Sequence, residues 1–322
     1  MGSNFKTMKK KAIIISLSGT TLEKREKNLI QNESPWGVIL FKRNILSINQ
    51  IKSLIRKIKK ASNDKNFPIL IDEEGGAVTR LSKIFDNRAY SQKFFGDLYV
   101  KDRKLCLSLY KNYIFSMCSV FKSLGININT VPVLDVLKKK THKIINTRSY
   151  SKNKKVIKIL GKICVETYNI NRIATVIKHI PGHGSSNSDS HYKLPIVSDA
   201  YKDLLKIDFD CFKGLHSYFA MTAHIIYSKI DNLKTCTHSK KIINDVIRNK
   251  IKFKGILISD DISMKALKFD LIENAKKSLE AGCNLVLYCS GKYDENLKLL
   301  RHMPYIDSFT AKKTSEFYRF LR

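Results

Sequence analysis

The sequence predicts an α/β protein, a closed (β/α)8 barrel in which residues 1–322 form a single domain. Three observations carry the prediction. Short apolar runs alternate with longer amphipathic stretches from end to end, with eight strand candidates in all. Most of those runs are continuously apolar, the pattern of parallel strands covered on their outer face. Polar residues able to do chemistry collect where the runs end, the face on which such barrels hold their sites. A doubly wound open sheet is the alternative, but it wants a glycine-rich nucleotide turn after the first strand, and Ser18-Gly19-Thr20 is not one.

The first strand is Ala12–Leu17, followed by a charged helix over Leu22–Gln31. Lys9-Lys10-Lys11 ahead of it faintly resembles a signal peptide, but the apolar part is short and no small-x-small cleavage site follows. Trp36–Phe41 is the second strand. Ser47 caps the next helix, Ile48–Ala61, with Gln50 completing a capping box and Ile48, Ile51, Leu54, Ile55 and Ile58 on one stripe. Pro68–Ile71 is the third strand and runs into Asp72-Glu73-Glu74-Gly75-Gly76. A long helix, Lys104–Leu124, stops at Gly125, a C-cap. The fourth strand is Ile126–Val136, interrupted by Pro132. Helix Lys154–Asn171 leads to the fifth strand, Ala174–Ile177, which opens into a histidine-rich loop. Helix Tyr201–Leu215, strand Tyr218–Ala223, helix Ser239–Lys250, strand Gly255–Ser259, helix Leu271–Ala281 and strand Cys283–Tyr288 complete the barrel. Residues from about 295 to 322 form a short helical cap. No linker, repeat or low-complexity segment divides this TIM-type pattern.

Composition narrows the function. At 43% hydrophobic residues the chain can fill a core, and no apolar run nears the ~18 residues of a membrane span. The seven cysteines, at 106, 118, 164, 211, 236, 283 and 289, are scattered and form no CxxC, the pattern of reduced cytoplasmic thiols. The net charge of +31 is spread along the whole chain with no aromatic-interleaved basic tract. That predicts salt-sensitive attraction to polyanions and no dedicated nucleic-acid partner.

The chemistry-bearing residues fall after the strands. Asp72 ends the third, Lys178 and His179 the fifth, and Asp260 and Asp261 the seventh, while His224 follows the sixth. Arg80 and Arg148 lie in the loops after strands three and four. The densest stretch is Lys178-His179-Ile180-Pro181-Gly182-His183-Gly184, followed by Asp189-Ser190-His191. Nucleophilic catalysis uses a carboxylate fixed at the end of a rigid element, which Asp260 supplies. It also uses a proton donor that later acts as base; histidine titrates near working pH. Asp189, two residues before His191, would orient that ring and stabilise its charged form. Asp72, Arg80, Arg148 and Lys178 are fixed hydrogen-bonding groups for a hydroxyl-rich or anionic ligand. A metal-dependent hydrolase using His179, His183, His191 and Asp260 remains open, although the first strand carries no H-x-H. So does a non-catalytic sugar- or anion-binding barrel.

Several segments resemble glycoside hydrolase family 3 β-N-acetylglucosaminidases of the NagZ type. Asp72–Leu81 is similar to their D-Q-E-G-G-R-V-x-R motif, Lys178–Gly184 with Asp189-Ser190-His191 to their K-H-F-P-G-H-G…D-S-H signature, and Ser259–Met264 to S-D-D-L-S-M. Trp36–Asn44, Asn129–Asp135, Thr147–Tyr150 and Met221–His224 resemble further blocks in order, so the likeness runs from about residue 12 to 290. It implies Asp260 as nucleophile, His191 as acid and base paired with Asp189, and Asp72, Arg80, Arg148, Lys178 and His179 on the sugar's hydroxyls and N-acetyl group. It also implies retaining hydrolysis of terminal β-linked GlcNAc from GlcNAc-1,6-anhydro-MurNAc, with or without peptide, by a cytoplasmic monomer that recycles cell wall without metal or cofactor. A histidine acid/base leaves a neutral imidazole after the first step, which does not repel phosphate, so phosphorolysis is expected beside hydrolysis. Glu73 stands where Gln is usual and Ala77 where Arg is; Ile180 and Tyr150 each replace a Phe with apolar bulk.

Overall fold

The computed structural model describes residues 9–138, 146–185 and 194–322. Eight parallel strands close in sequence order into a barrel. They are β1 (Lys11–Ser16), β2 (Pro35–Leu40), β3 (Ile69–Ile71), β4 (Ile128–Asn129), β5 (Ala174–Ile180), β6 (Phe219–Thr222), β7 (Ile256–Asp261) and β8 (Leu285–Leu287). β8 returns to β1 with Ile13 opposite Val286 and Ile14 opposite Leu287, so the barrel leaves no open edge.

Two apolar layers hold it. Outward-facing strand residues such as Ile13, Val38, Ile69 and Leu257 pack against the helix ring. Inward-facing Ile14, Ile39, Leu70, Val176 and Ile258 fill the bore. Helix Ile48–Ala61 illustrates the ring. The Ser47 hydroxyl accepts from the Gln50 N–H at 3.2 Å, the Gln50 side chain accepts from the Leu46 N–H at 2.8 Å, and Ile51, Leu54, Ile55 and Ile58 are buried. Ile48, expected on that stripe, is 48% exposed in the helix's first turn. Helix Arg103–Leu124 ends at Gly125 with φ of 90°, as its sequence requires.

Four local expectations change. The fourth strand is short because Pro132 lacks an N–H for the ladder; pairing resumes beyond it, where Leu134 N–H donates to Lys178 C=O at 2.7 Å. Helix Tyr201–Lys206 stops early, and the chain turns to bury Asp208, which pairs with Lys138 at 2.8 Å. A helix at Gln92–Lys101 was not foreseen, since its Phe-Phe-Gly core reads as loop. Gly96 serves there as a contact point: a Cβ would overlap the Tyr150 carbonyl oxygen.

The fourth change concerns the cap. It consists of helices Tyr293–His302 and Ser308–Phe320, and the second plugs the N-terminal end of the bore. Phe317 packs edge-on against Phe219 (5.2 Å between centroids), and the Trp36 indole N–H donates to Thr314 Oγ1 at 2.9 Å. Among the described residues no helix is long and apolar enough to cross a membrane.

Candidate active site

The C-terminal mouth of the barrel holds a cavity of about 320 Å³ whose lining includes Asp72, Arg80, Arg148, Lys178, His179 and Asp260. Each comes from the end of a strand or the loop that follows it. Three further polar residues, Thr130, His183 and Asp261, share the wall with Ile39, Phe41, Met221 and Met264. Charged and apolar side chains thus line one small cavity, a mixture that suits a pyranose, which presents hydroxyls at its rim and C–H groups on its faces.

Lys178 is the hub. Its buried ammonium lies 2.6 Å from Asp72 Oδ1, 2.5 Å from Glu74 Oε1 and 3.1 Å from Thr130 Oγ1. Arg80 pairs with the other Asp72 oxygen at 2.5 Å, and Arg148 grips Glu74 through two N–H···O bonds of 2.7 and 2.8 Å. Burial pushes the Asp72 carboxyl up, but Lys178, Arg80 and Arg148 together hold it well below the usual carboxylate range. Glu74 is likewise lowered, burial being outweighed by Arg148 and Lys178. Both acids are therefore ionised at neutral pH. Asp72, which lines the cavity, is an acceptor for hydroxyls, while Glu74 lies behind it, and both, being committed to cations, are poor nucleophiles.

His179 is fixed from behind. Its Nδ1–H donates to Asp135 Oδ2 at 2.7 Å, and the Arg148 guanidinium lies 3.4 Å from Nε2. A cation beside Nε2 argues against that nitrogen as a metal ligand. Asp135 is wholly buried and also accepts the backbone N–H of His183 at 2.6 Å, so one carboxylate sets both histidines of the loop. Burial pushes the His183 imidazole down to about 4, against the pull of Asp135, and its Nδ1 has no hydrogen-bond partner among the described residues. Gly184 lies so close to the Val136 carbonyl that a Cβ would overlap it.

Asp260 differs from the other acids. Its Oδ1 accepts from the Asp261 N–H at 2.8 Å, and no Lys or Arg forms an ion pair with it among the described residues. Burial raises its carboxyl, but His224, His179, the Asp261 N–H and Lys178 outweigh it, so it is anionic, and among the described residues its second oxygen takes no hydrogen bond. His224 is buried and neutral: burial pushes its pKa down, and Nε2–H donates to the Asp261 carbonyl at 3.0 Å. It thereby braces the turn that carries Asp260.

The structure brings six of the eight expected site residues to one cavity; Asp189 and His191 lie outside the described residues. Sequence reasoning missed Glu74, Thr130 and Asp135. Asp135 had a signal: an acid inside Val131-Pro132-Val133-Leu134-Asp135-Val136 must be buried and so must be paired. It also missed how Arg148 is placed. Gln92, at the start of the unforeseen helix, donates to the Arg148 carbonyl at 2.6 Å.

A larger groove, about 1120 Å³, lies at the opposite end of the barrel, lined by Arg172, Lys250, Lys252, Lys254, Tyr218 and others. Glu316 is its one carboxylate, and no strand C-terminus reaches it, so size alone does not mark the chemistry.

Residues 7–308 match the glycosyl hydrolase family 3 N-terminal domain. A β-hexosaminidase of Haemophilus influenzae is 30% identical over 321 residues, covering 96% of this chain and 89% of that protein. One from Bordetella parapertussis is 29% identical over 285 residues, covering 86% and 79%. The crystal structure of NagZ from Neisseria gonorrhoeae in complex with N-trifluoroacetyl-D-glucosamine superposes with a TM-score of 0.85 at 25% identity, covering 96% of this chain and 90% of that one.

Proposed function

The chain belongs to glycosyl hydrolase family 3, in its β-N-acetylhexosaminidase branch, and from that premise we propose that it is a retaining exo-β-N-acetylglucosaminidase. The observation that carries the reading is Asp260: an ionised carboxylate without an ion-pair partner among the described residues, at the end of β7, facing the same small cavity as Asp72, Lys178 and Arg148. The cavity suits one sugar ring and not a chain, which supports exo action. The sugar complex of the gonococcal NagZ supports GlcNAc as the glycone.

In the proposed reaction an Asp260 oxygen attacks the anomeric carbon as the glycosidic C–O bond breaks. His191, oriented by Asp189, gives its proton to the leaving oxygen. Water then attacks the same carbon, His191 takes the water's proton, and Asp260 is released. Arg80, Arg148, Lys178 and His179 hold the glycone with Asp72, and the bonds of Lys178 to Asp72, Arg148 to Glu74 and His179 to Asp135 place them before the sugar arrives, so little reorganisation remains. We take the substrate to be GlcNAc-1,6-anhydro-MurNAc, free or with peptide, in cytoplasmic cell-wall recycling by a monomer. Six buried cysteines and a seventh half-buried, all unpaired, support a reducing compartment.

Proton NMR of the first-formed sugar, with EDTA present, tests the reaction class. β-GlcNAc appearing before mutarotation supports retention without a metal. The α-anomer first, or activity lost to EDTA and restored by zinc, contradicts it.

A further inference from the structure

We propose that Glu73 is a positioning residue for the glycone site: its carboxyl clamps the returning arm of the Asp72–Arg80 loop and thereby sets the Arg80 guanidinium on Asp72. The inference rests on the glycosidase reading above and adds to it a residue that touches no substrate.

Glu73 is bolted to the barrel on its backbone side. Asn129, the last residue of β4, accepts from the Glu73 N–H at 3.1 Å and donates its amide to the Glu73 carbonyl at 2.9 Å. The side chain then reaches across the loop. One oxygen, Oε2, accepts the consecutive backbone N–H groups of Arg80 at 2.7 Å and Leu81 at 2.8 Å. Between the two arms the chain turns tightly, with Glu74 N–H donating to Val78 C=O at 2.9 Å. A single buried carboxyl oxygen thus joins the arm that carries Asp72 to the arm that carries Arg80.

Arg80 depends on that clamp because its own head is lightly held. Among the described residues its guanidinium makes one ion pair, to Asp72, and its buried Nε has no hydrogen-bond partner; the head lies over the Phe41 ring at 5.2 Å. A long side chain with so few bonds takes its position from its backbone. Every other acid around it is paired: Asp72 and Glu74 take Lys178 and Arg148. Glu73 faces no such cation, and its Oε1 is buried without a partner. Burial raises its carboxyl pKa, against the lowering pull of the Thr79 and Asn87 side chains and the Leu81 and Arg80 N–H groups. Thr79 Oγ1 and Asn87 Oδ1 are buried without partners too. The pocket around the carboxyl therefore offers two N–H donors on one side and, on the other, a hydroxyl that can donate or accept and an amide oxygen that can only accept. A glutamine Oε1 can accept the same two N–H groups and its amide can donate to the Asn87 oxygen, so glutamine should serve as well as glutamate, whereas alanine would leave two N–H groups unpaired and free the arm.

Steady-state kinetics on 4-nitrophenyl β-N-acetylglucosaminide with wild type, Glu73→Gln, Glu73→Ala, Arg80→Ala and the Glu73→Ala/Arg80→Ala double variant test the role. Glu73→Ala should raise KM roughly tenfold with kcat changed by less than about threefold, since it acts on binding through Arg80. Glu73→Gln should restore KM to within about twofold of wild type, and the double variant should match Arg80→Ala alone. A folded Glu73→Ala enzyme with wild-type KM, a Gln variant as impaired as Ala, or additive losses in the double variant would each overturn the proposal. Glu73→Met, which fills the volume without an acceptor, replaces Ala if that variant does not fold. If wild type cleaves no β-N-acetylglucosaminide, the glycosidase reading fails on its own. The clamp is then judged from a crystal structure of Glu73→Met: loss of the Arg80–Asp72 contact supports it and retention overturns it.

Discussion

The two ends of the barrel are built on opposite principles. The C-terminal mouth is small and crowded with buried charges; Asp72, Arg80, Arg148 and Lys178 are tied to opposite charges, whereas Asp260 is held by the Asp261 backbone N–H. The N-terminal end is sealed by Phe317 and Phe320 and carries, outside the seal, a groove more than three times larger, rimmed by Arg172, Lys250, Lys252 and Lys254. The contrast teaches that converging, mutually neutralised charge marks a reaction site better than volume does. Buried charges persist only where other groups compensate them, so a cluster of them at the strand ends needs a reason beyond stability. The lysines at the far end stay in water, which screens them, and they need none.

The largest expected difference between the ends is catalytic. Asp260→Asn should lower kcat by at least about a thousandfold, roughly 4 kcal/mol of barrier, while GlcNAc affinity by calorimetry changes little. Next come stability effects of similar size with different consequences. Lys178→Ala leaves Asp72 and Glu74 buried without their shared cation and should cost about 3–5 kcal/mol in urea denaturation, with loss of sugar binding. Phe317→Ala opens a cavity in the plug and should also cost about 3–5 kcal/mol, with KM unchanged. If the Phe317 variant loses sugar affinity as well, the two ends are coupled and the contrast fails.

A smaller effect is the pH response of the mouth. His183 is held neutral by burial, its pKa pushed from 6.5 down to about 4. The unfolded chain therefore takes up this proton first as pH falls. The related stability is complete above about pH 6.5 and declines toward about pH 4, by at most about 3 kcal/mol. Replacing His183 with Gln should flatten the fall in melting temperature across that window. His238, also pushed down to about 4, contributes a similar share at a different place, so part of the slope should persist. An unchanged slope would mean that His183 is protonated or hydrated in the fold. The smallest catalytic effect belongs to the far end. Lys250→Glu, Lys252→Glu and Lys254→Glu together should leave kcat/KM within about twofold while weakening salt-dependent retention on a polyanion column.

The same contrast explains what was legible in the sequence. Eight apolar runs at parallel-strand spacing forecast the barrel, and residues that end a strand, such as Asp72, Lys178 and Asp260, announced the mouth because strand direction fixes which end they occupy. Glu74, Thr130 and Asp135 escaped because their roles depend on partners far along the chain: Arg148, Lys178 and His179. The Gln92–Lys101 helix escaped because Gly96 and two adjacent Phe obscure its period, although Gln92 holds the Arg148 backbone. The final helix read as a generic cap. Its function as a plug appears only when Phe317 meets Phe219 and Trp36 from distant strands.

Covalent trapping tests the central claim most directly. Wild type would be treated with a 5-fluoro-N-acetylglucosaminyl fluoride, quenched in acid, digested and mapped by mass spectrometry. A fluoro-sugar ester on the peptide containing Ser259-Asp260-Asp261, fragmenting to Asp260, is the expected result. An ester on Asp72 or Asp261, or turnover of substrate with no adduct at any carboxylate, would contradict the assignment of the nucleophile.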